Sequence, residues 1–151
     1  MRHRRPRRLP DFSYCGKHRY FVTCCVAGRR SAFTAADAVD AIRQQVLRTC
    51  LERSFEEIAS VYMPDHLHAL FRGTEEDAAF RPFMTLLRQR TALTYRTLTG
   101  ERLWQEGYYD RVLRTNDDTC AWVEYIVQNP VRANLVERPE EYPFTYRRPD
   151  S

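Results

Sequence analysis

The feature that most constrains the fold is the alternation of strand-like and helix-like segments along the chain. Runs rich in β-branched and aromatic residues, or alternating in polarity, predict four strands, at residues 19–26, 55–62, 66–72 and 108–114. Apolar residues at helical spacing predict helices over residues 35–51 and 80–99, followed by a last helix that starts at Asn116 or Asp117. The order β-α-β-β-α-β-α indicates an α+β protein of the ferredoxin-like or RRM-like split βαβ type.

Two strand–helix–strand units joined by a hairpin predict a four-stranded antiparallel sheet with helices on one face, plus a C-terminal helix. Thr34 is expected to cap the first helix, and Gly100 to end the second, whose inward residues include Leu93. The last helix should end near Asn129, because the residue before a proline is disfavoured in helices. The segment after this helix, with Pro139, Pro143 and Pro149, is expected to be irregular. The expected organisation is an N-terminal arm (1–18), one domain (19–146) and a tail (147–151).

Length and composition narrow the class of protein. The 151 residues suit one domain, and no apolar run is long enough to cross a membrane. Five cysteines with no C-x-x-C spacing argue against a disulfide framework or a structural zinc site. We therefore expect a protein of the reducing cytoplasm that does not associate with membranes.

Positive charge is concentrated at the N-terminus. Residues 1–30 hold nine of the basic residues and a single acid, Asp11, although the whole chain carries a net charge of only +4. A solvated tail or a codon bias towards arginine would also produce this pattern. The arm equally suits phosphate neutralisation, which predicts a nucleic acid partner and these candidate contacts: Arg4, Arg5, Arg7 and Arg8.

His66 and His68 lie two residues apart in a predicted strand, so both side chains project from one face. Leu67, between them, faces the opposite side and the core. Two neighbouring imidazoles can hold one divalent ion through neutral ring nitrogens. The same spacing also fits two ordinary histidines, because H-x-H is a short pattern.

Tyr125 and Asn129 are four residues apart and share one face of the last predicted helix. A tyrosine phenol can act as a nucleophile once its proton is accepted, and an asparagine amide oxygen suits Mg²⁺ or Mn²⁺. Tyr125 as a packing aromatic and Asn129 as a helix cap are the structural alternatives.

Three segments resemble known proteins. Residues 63–68 (MPDHLH) resemble the strand of the HUH nucleases in which two histidines separated by an apolar residue bind the catalytic metal. Residues 104–114 (WQEGYYDRVLR) and 123–136 (VEYIVQNPVRANLV) are similar to the single-tyrosine transposases of that superfamily, and within them to the REP-associated tyrosine transposases. The resemblance extends from Tyr20 to about Phe144. One departure is YPFT at 142–145, where relatives often have WPFS.

The resemblance implies a transposase or endonuclease that cleaves and rejoins single-stranded DNA, at repeats that fold as hairpins, through a 5′-phosphotyrosine. It implies Tyr125 as the nucleophile, and a Mg²⁺ or Mn²⁺ ion bound by His66, His68 and Asn129. Tyr108 and Tyr109, the other conspicuous tyrosines, are then structural or DNA-contacting. The further expected DNA contacts are Arg111 and Arg114, and the expected location is the cytoplasm, with the nucleoid.

Some questions stay open at the level of sequence. A non-catalytic single-stranded nucleic-acid-binding protein on the same fold is the main alternative function, and a domesticated nuclease that does not mobilise its own gene is another. The active form is expected to be either a monomer or a homodimer with active sites shared between subunits.

Overall fold

The described part of the chain, residues 9–149 of a computed structural model, is built on one antiparallel sheet. The order of strands across it is β4-β1-β3-β2-β5. The strands are β1 (Arg19–Cys25), β2 (Phe55–Met63), β3 (His66–Gly73), β4 (Tyr109–Leu113) and β5 (Thr145–Arg147). The helices are α1 (Ala36–Arg53), α2 (Phe80–Thr99), α3 (Thr119–Val127) and α4 (Asn129–Arg132).

The predicted α+β class and the order of the first seven elements are confirmed, whereas the strand count is wrong. The segment after the last predicted helix, which was expected to be irregular, contributes a fifth strand that pairs with β2 through Ser60 and Tyr146. Arg43 of α1 stacks on the ring of Tyr146 at 3.8 Å, and the Tyr142 hydroxyl donates to the Tyr62 carbonyl. These contacts hold the returning chain against the edge of β2.

One face of the sheet is covered by α1 and α2. Their buried residues and alternate residues of the strands form the larger apolar cluster. Its centre is aromatic: Phe83 of α2 stacks on Phe55 at a centroid distance of 4.1 Å and meets Phe71 edge-on. Burial of these rings supplies much of the hydrophobic stabilisation of the domain.

The other face is covered by α3, which packs mainly on β2 and β3. Val123 and Ile126 of α3 are fully buried there, against Phe21 and Leu70 of the strands. Because successive strand residues point to opposite faces, Tyr20 and Val22 belong to the α1/α2 cluster while Phe21 belongs to the α3 cluster. The sheet therefore separates two apolar clusters.

The hairpin between β2 and β3 sets the position of the two histidines. Met63 pairs with His66, so the turn consists of Pro64 and Asp65 alone. The segment after β1 holds this turn in place: Val26 donates to the Asp65 carbonyl, and Phe33 donates to the Pro64 carbonyl. β3 therefore starts at a fixed point beside β1.

Several predicted helix details are corrected. Thr34 does not cap α1, which starts at Ala36 without a side-chain cap. Leu93 is 67% exposed, because the buried stripe of α2 runs through residues 83, 84, 87, 91 and 95. The last long helix is capped by Asp118, whose side chain accepts from the Cys120 amide, rather than by residues 116 or 117.

The end of that helix also differs from expectation. α3 ends at Val127 as the proline predicts, but the chain does not leave the helical region. A second short helix, α4, begins at Asn129 with Pro130 in its first turn, where a missing amide proton costs no hydrogen bond.

The ends of the described region contact the domain. Residues 1–8, including Arg4, Arg5, Arg7 and Arg8, lie outside the described residues.

The first described residues pack on the domain. Phe12 and Tyr14 contact the larger apolar cluster, with Tyr14 stacked near Phe80. Among residues 9–149, no helix is long and apolar enough to cross a membrane, and all five cysteines are free thiols.

Candidate active site

His66 and His68 project from the face of the sheet that α3 covers. Their rings lie 4.5 Å apart between centroids and meet edge-on. Leu67 belongs to the cluster on the opposite face, as the spacing predicted. His68 is 5% exposed, and the His66 side chain is 16% exposed. The pair is thus close-packed and mostly shielded from water.

Each histidine is oriented through its Nδ1 atom. His68 Nδ1 lies 2.8 Å from the hydroxyl of Thr23, its partner on β1. His66 Nδ1 lies 2.7 Å from Asp65 Oδ1, and Asp65 Oδ2 accepts from Arg29 Nε at 3.0 Å. A partner at Nδ1 makes Nε2 the nitrogen through which each ring would coordinate a metal, a common arrangement for ligating histidines.

The carboxyl group of Asp65 is kept ionised by its neighbours. Partial burial alone would raise its pKa, but the hydrogen bond and charge of His66, together with Arg29, outweigh burial and lower the pKa below its ordinary value. An ionised carboxylate at Nδ1 increases the electron density on the imidazole. Such a carboxylate would make the neutral form of His66 a stronger ligand for a metal ion.

Tyr125 extends from α3 over the same region. Its ring centroid is 6.2 Å from that of His68 and 5.8 Å from that of Phe21, and 40% of the residue is exposed. The structure therefore brings Tyr125 beside the histidine pair. The exposed fraction leaves the phenol accessible to a large substrate.

Arg132 is a neighbour of Tyr125 that the sequence analysis did not single out. Its guanidinium carbon lies 4.2 Å from the centroid of the Tyr125 ring, and the same side chain donates to the Tyr125 carbonyl. The sequence feature that could have indicated this contact is the spacing of seven residues between Tyr125 and Arg132, which corresponds to two helical turns. The stacked cation restrains the ring and brings a positive charge close to it.

Asn129 begins α4, whereas Tyr125 lies on α3, which ends at Val127, so the two residues expected to share one helix lie on two successive helices. The Asn129 Nδ2 atom is buried without a hydrogen-bond partner among the described residues. Rotating the amide by half a turn would put Oδ1 in that position. A buried amide without a partner is costly in a folded protein, and coordination of a cation by Oδ1 would offset the cost.

No group of three or more His, Cys, Asp or Glu side chains within residues 9–149 is arranged to hold a metal ion. A metal at the histidine pair therefore needs a further ligand from another residue type. Asn129 is the candidate that the sequence analysis selected.

A cavity of about 330 Å³ opens between α3 and the sheet. His68, Thr23 and Tyr125 stand on its polar side. The rest of its wall is mainly apolar, formed by Phe21, Tyr109, Ala121 and Trp122. The candidate nucleophile and one candidate metal ligand thus share a single opening.

The four described residues predicted to contact DNA do not form one surface. Tyr109 lines the cavity, whereas Tyr108 points to the other face of β4, where Arg88 lies 5.4 Å above its ring. Arg111 is exposed and lies 4.9 Å from the Trp122 ring centroid, beside the cavity. Arg114 is exposed at the end of β4, in the turn towards α3.

Arg19 is a second residue that the sequence analysis missed. From β1 its guanidinium donates to the Asp117 carbonyl at 3.0 Å, to the Arg114 carbonyl at 2.7 Å and to the Thr119 hydroxyl. These bonds fasten the turn from which α3 starts. Since Arg19 lies far from this turn in sequence, only the fold shows the connection.

Comparisons with known proteins agree on one group. The family model described as Transposase IS200 like matches residues 15–129. A candidate REP-associated tyrosine transposase of Haemophilus influenzae is 24% identical over 137 residues, covering 83% of this chain and 77% of the relative. The REP-associated tyrosine transposase of Escherichia coli is 24% identical over 127 residues, covering 83% of this chain and 74% of that protein.

Solved structures have the same fold. A REP-associated tyrosine transposase bound to a REP hairpin superposes with a TM-score of 0.74 at 20% identity, covering 93% of this chain and 82% of its own. A candidate transposase from Deinococcus radiodurans gives a TM-score of 0.56 at 19% identity, covering 82% of this chain and 97% of its own. At these identities the similarity establishes the fold.

Proposed function

Because the chain belongs to the family of IS200-like transposases, which the match over residues 15–129 shows, we propose that it cleaves and rejoins single-stranded DNA through a covalent tyrosine intermediate. The observation that carries the proposal is the juxtaposition of Tyr125 with His68 at one opening between α3 and the sheet, with the His66 ring next to that of His68.

The residues present fit a divalent metal ion. Two imidazoles, each oriented through Nδ1, and the amide oxygen of Asn129 are the proposed ligands, two nitrogen atoms and one oxygen atom. The amide oxygen and the open side of the site, where water and phosphate oxygens can complete the coordination, favour Mg²⁺ or Mn²⁺. When bound, the ion would polarise the scissile phosphate and offset the negative charge that develops on its oxygens.

Tyr125 supplies the nucleophile. Its hydroxyl oxygen forms a bond to phosphorus as the bond between phosphorus and the 3′-oxygen breaks. The phenol proton is released and the 3′-oxygen takes up a proton, leaving a 5′-phosphotyrosine and a free 3′-hydroxyl. The reverse attack by a 3′-hydroxyl rejoins a strand without ATP, because one phosphodiester bond replaces another.

The surroundings of Tyr125 support this role. Arg132, stacked on the ring, limits the orientations that the phenol can adopt and adds positive charge where a phosphate would approach. Phe21 meets the ring edge-on from the sheet. Tyr125 and His68 of one chain line one cavity, which supports a monomer as the unit that cleaves.

The proposed substrate is single-stranded DNA that carries a repeat hairpin, because a structural relative is bound to a REP hairpin. Arg111 and Tyr109 beside the cavity are the described candidates for contacts to the unpaired strand. Arg4, Arg5, Arg7 and Arg8 are proposed to add phosphate neutralisation, which makes the affinity fall with salt.

The test is a covalent capture assay with single-stranded repeat DNA in Mn²⁺. Replacing Tyr125 by Phe removes one oxygen from an exposed side chain. We expect this change to abolish the adduct that denaturing electrophoresis detects while leaving DNA affinity within about twofold, since the hydroxyl is needed for bond formation and the ring is kept.

The matched control is Tyr109→Phe, which removes a hydroxyl from the same cavity. This variant should still form the adduct. Undiminished adduct in Tyr125→Phe, or loss of the adduct in Tyr109→Phe alone, would overturn the assignment of the nucleophile.

A further inference from the structure

The cavity beside Tyr125 is larger and less polar than a phosphate requires. It measures about 330 Å³, and its aromatic lining is formed by Phe21, next to His68, and by Trp122 and Tyr109. A phosphate placed against these rings would lose its hydration without gaining hydrogen bonds, at a high cost. The phosphodiester is better accommodated at the polar side, next to His68.

The apolar part suits a flat, uncharged group. The Phe21 and Trp122 rings lie 4.9 Å apart between centroids, and Tyr109 meets Phe21 edge-on at 6.4 Å. Aromatic side chains that line a pocket are the usual platforms for unpaired bases, because every base has a face that can stack. The Thr23 hydroxyl, at the same opening, is a polar group that can hydrogen-bond to the edge of a base.

Trp122 is held as part of this wall. The Phe21 ring lies 4.9 Å from the Trp122 ring at an interplanar angle of 40°, and the Arg111 guanidinium carbon lies 4.9 Å from the Trp122 ring centroid. Since Arg111 is exposed beside the cavity, its positive charge is available to a phosphate of the bound strand. The arrangement joins a stacking platform to a charge that attracts phosphate.

We propose that this cavity binds one unpaired DNA base adjacent to the scissile phosphate, with Trp122 and Tyr109 as its stacking residues. Insertion of the base places the neighbouring phosphodiester beside Tyr125 and the histidine pair. The site therefore couples recognition of the unpaired strand to positioning for cleavage. This inference rests on the proposed cleavage function, and it assigns to the cavity a substrate group that the cleavage chemistry alone does not require.

The experiment combines protein variants with substrates that lack a single base. A set of oligonucleotides carries one abasic nucleotide at successive positions around the cleavage point, and the initial rate of adduct formation is measured at subsaturating DNA. For the unaltered protein, one abasic position should lower the rate about tenfold or more, since stacking on an aromatic ring contributes about that factor.

Trp122→Leu removes the aromatic face and keeps apolar bulk. This variant should lose about tenfold on the intact strand, yet show little further loss with the sensitive abasic strand, because base and ring contribute through one contact. Trp122→Phe keeps a ring and should restore most of the rate and of the sensitivity to the missing base. Tyr109→Leu should behave like Trp122→Leu.

Tyr146→Leu is the control, since Tyr146 is an aromatic residue on β5, at the edge of the sheet opposite to β4. It should leave the response to every abasic position unchanged. The inference is overturned if no abasic position near the cleavage point matters. It is also overturned if the losses from Trp122→Leu and from the abasic strand multiply independently, which would make Trp122 a packing residue.

Failure of the cleavage function would look different. In that case no strand, intact or abasic, would form an adduct that depends on Tyr125. Circular dichroism and urea unfolding of each variant separate a lost contact from a lost fold.

Discussion

The two faces of the sheet use the same strands for different purposes. On the α1/α2 face, alternate residues of β1 enter a continuous apolar cluster; Tyr20 and Val22 are at most 1% exposed. On the α3 face, Phe21 and Thr23 of the same strand border an open cavity together with His68. Closely packed interiors leave no room for a substrate, whereas the second face is left partly unfilled.

This difference shows which face of the sheet can hold an active site. Two long helices shield one face from water, so that face can stabilise the domain without a role in binding. The other face is covered by the nine residues of α3, which leave His68 and Tyr125 at an opening, with His66 next to His68. Substitutions on the α1/α2 face should therefore lower stability more than adduct formation. Substitutions on the α3 face should lower adduct formation more than stability.

The largest effect on stability is expected at the α1/α2 face. Phe83→Ala removes a fully buried ring that stacks on Phe55 at 4.1 Å. The free energy of unfolding in urea should fall by about 3–5 kcal/mol, because burial is lost and a cavity remains. Under conditions in which the variant is still folded, its adduct formation per folded molecule should match that of the unaltered protein.

Phe83→Leu provides the control, since it keeps an apolar group in the same space and should cost less. A Phe83→Ala protein that kept its full stability would contradict the view that this face carries the structural core.

At the α3 face, a substitution should reduce adduct formation much more than stability. His68→Ala should abolish the adduct in Mn²⁺, because a proposed metal ligand beside Tyr125 is lost. Its cost in unfolding free energy should be about 1 kcal/mol or less, since water can enter the open cavity and hydrogen-bond to Thr23.

Binding of DNA distinguishes the roles at this site. His68→Ala should keep salt-dependent binding of single-stranded DNA, measured by fluorescence anisotropy, because phosphate neutralisation comes from arginines. If binding disappears together with cleavage, the histidine contacts DNA or supports the fold instead of holding a metal.

Much of the site could be predicted from the sequence because it depends on local periodicity. The two-residue repeat of a strand places His66 and His68 on one face with Leu67 on the other, which is what the structure has. The helical spacing also predicted one helix for Tyr125 and Asn129, but the structure divides this segment into α3 and α4. The order of strands and helices followed from the same periodic patterns.

The parts that could not be predicted depend on contacts between distant segments. β5 has three residues in a segment rich in prolines, and its pairing with β2 is supported by Arg43 against Tyr146. The role of Arg19, which fastens the turn before α3, likewise requires the folded β1. No local pattern in the sequence records either contact.

The most direct test of the central claim, that Tyr125 forms the bond to DNA, is the location of the nucleotide in the captured adduct. Trypsin cleaves after arginine and separates residues 115–132, in which Tyr125 is the one tyrosine, from residues 103–111, which contain Tyr108 and Tyr109. After nuclease trimming, tandem mass spectrometry should find the nucleotide mass on Tyr125 in the peptide 115–132. A nucleotide on the peptide 103–111, or metal-dependent cleavage without any modified tyrosine, would contradict it.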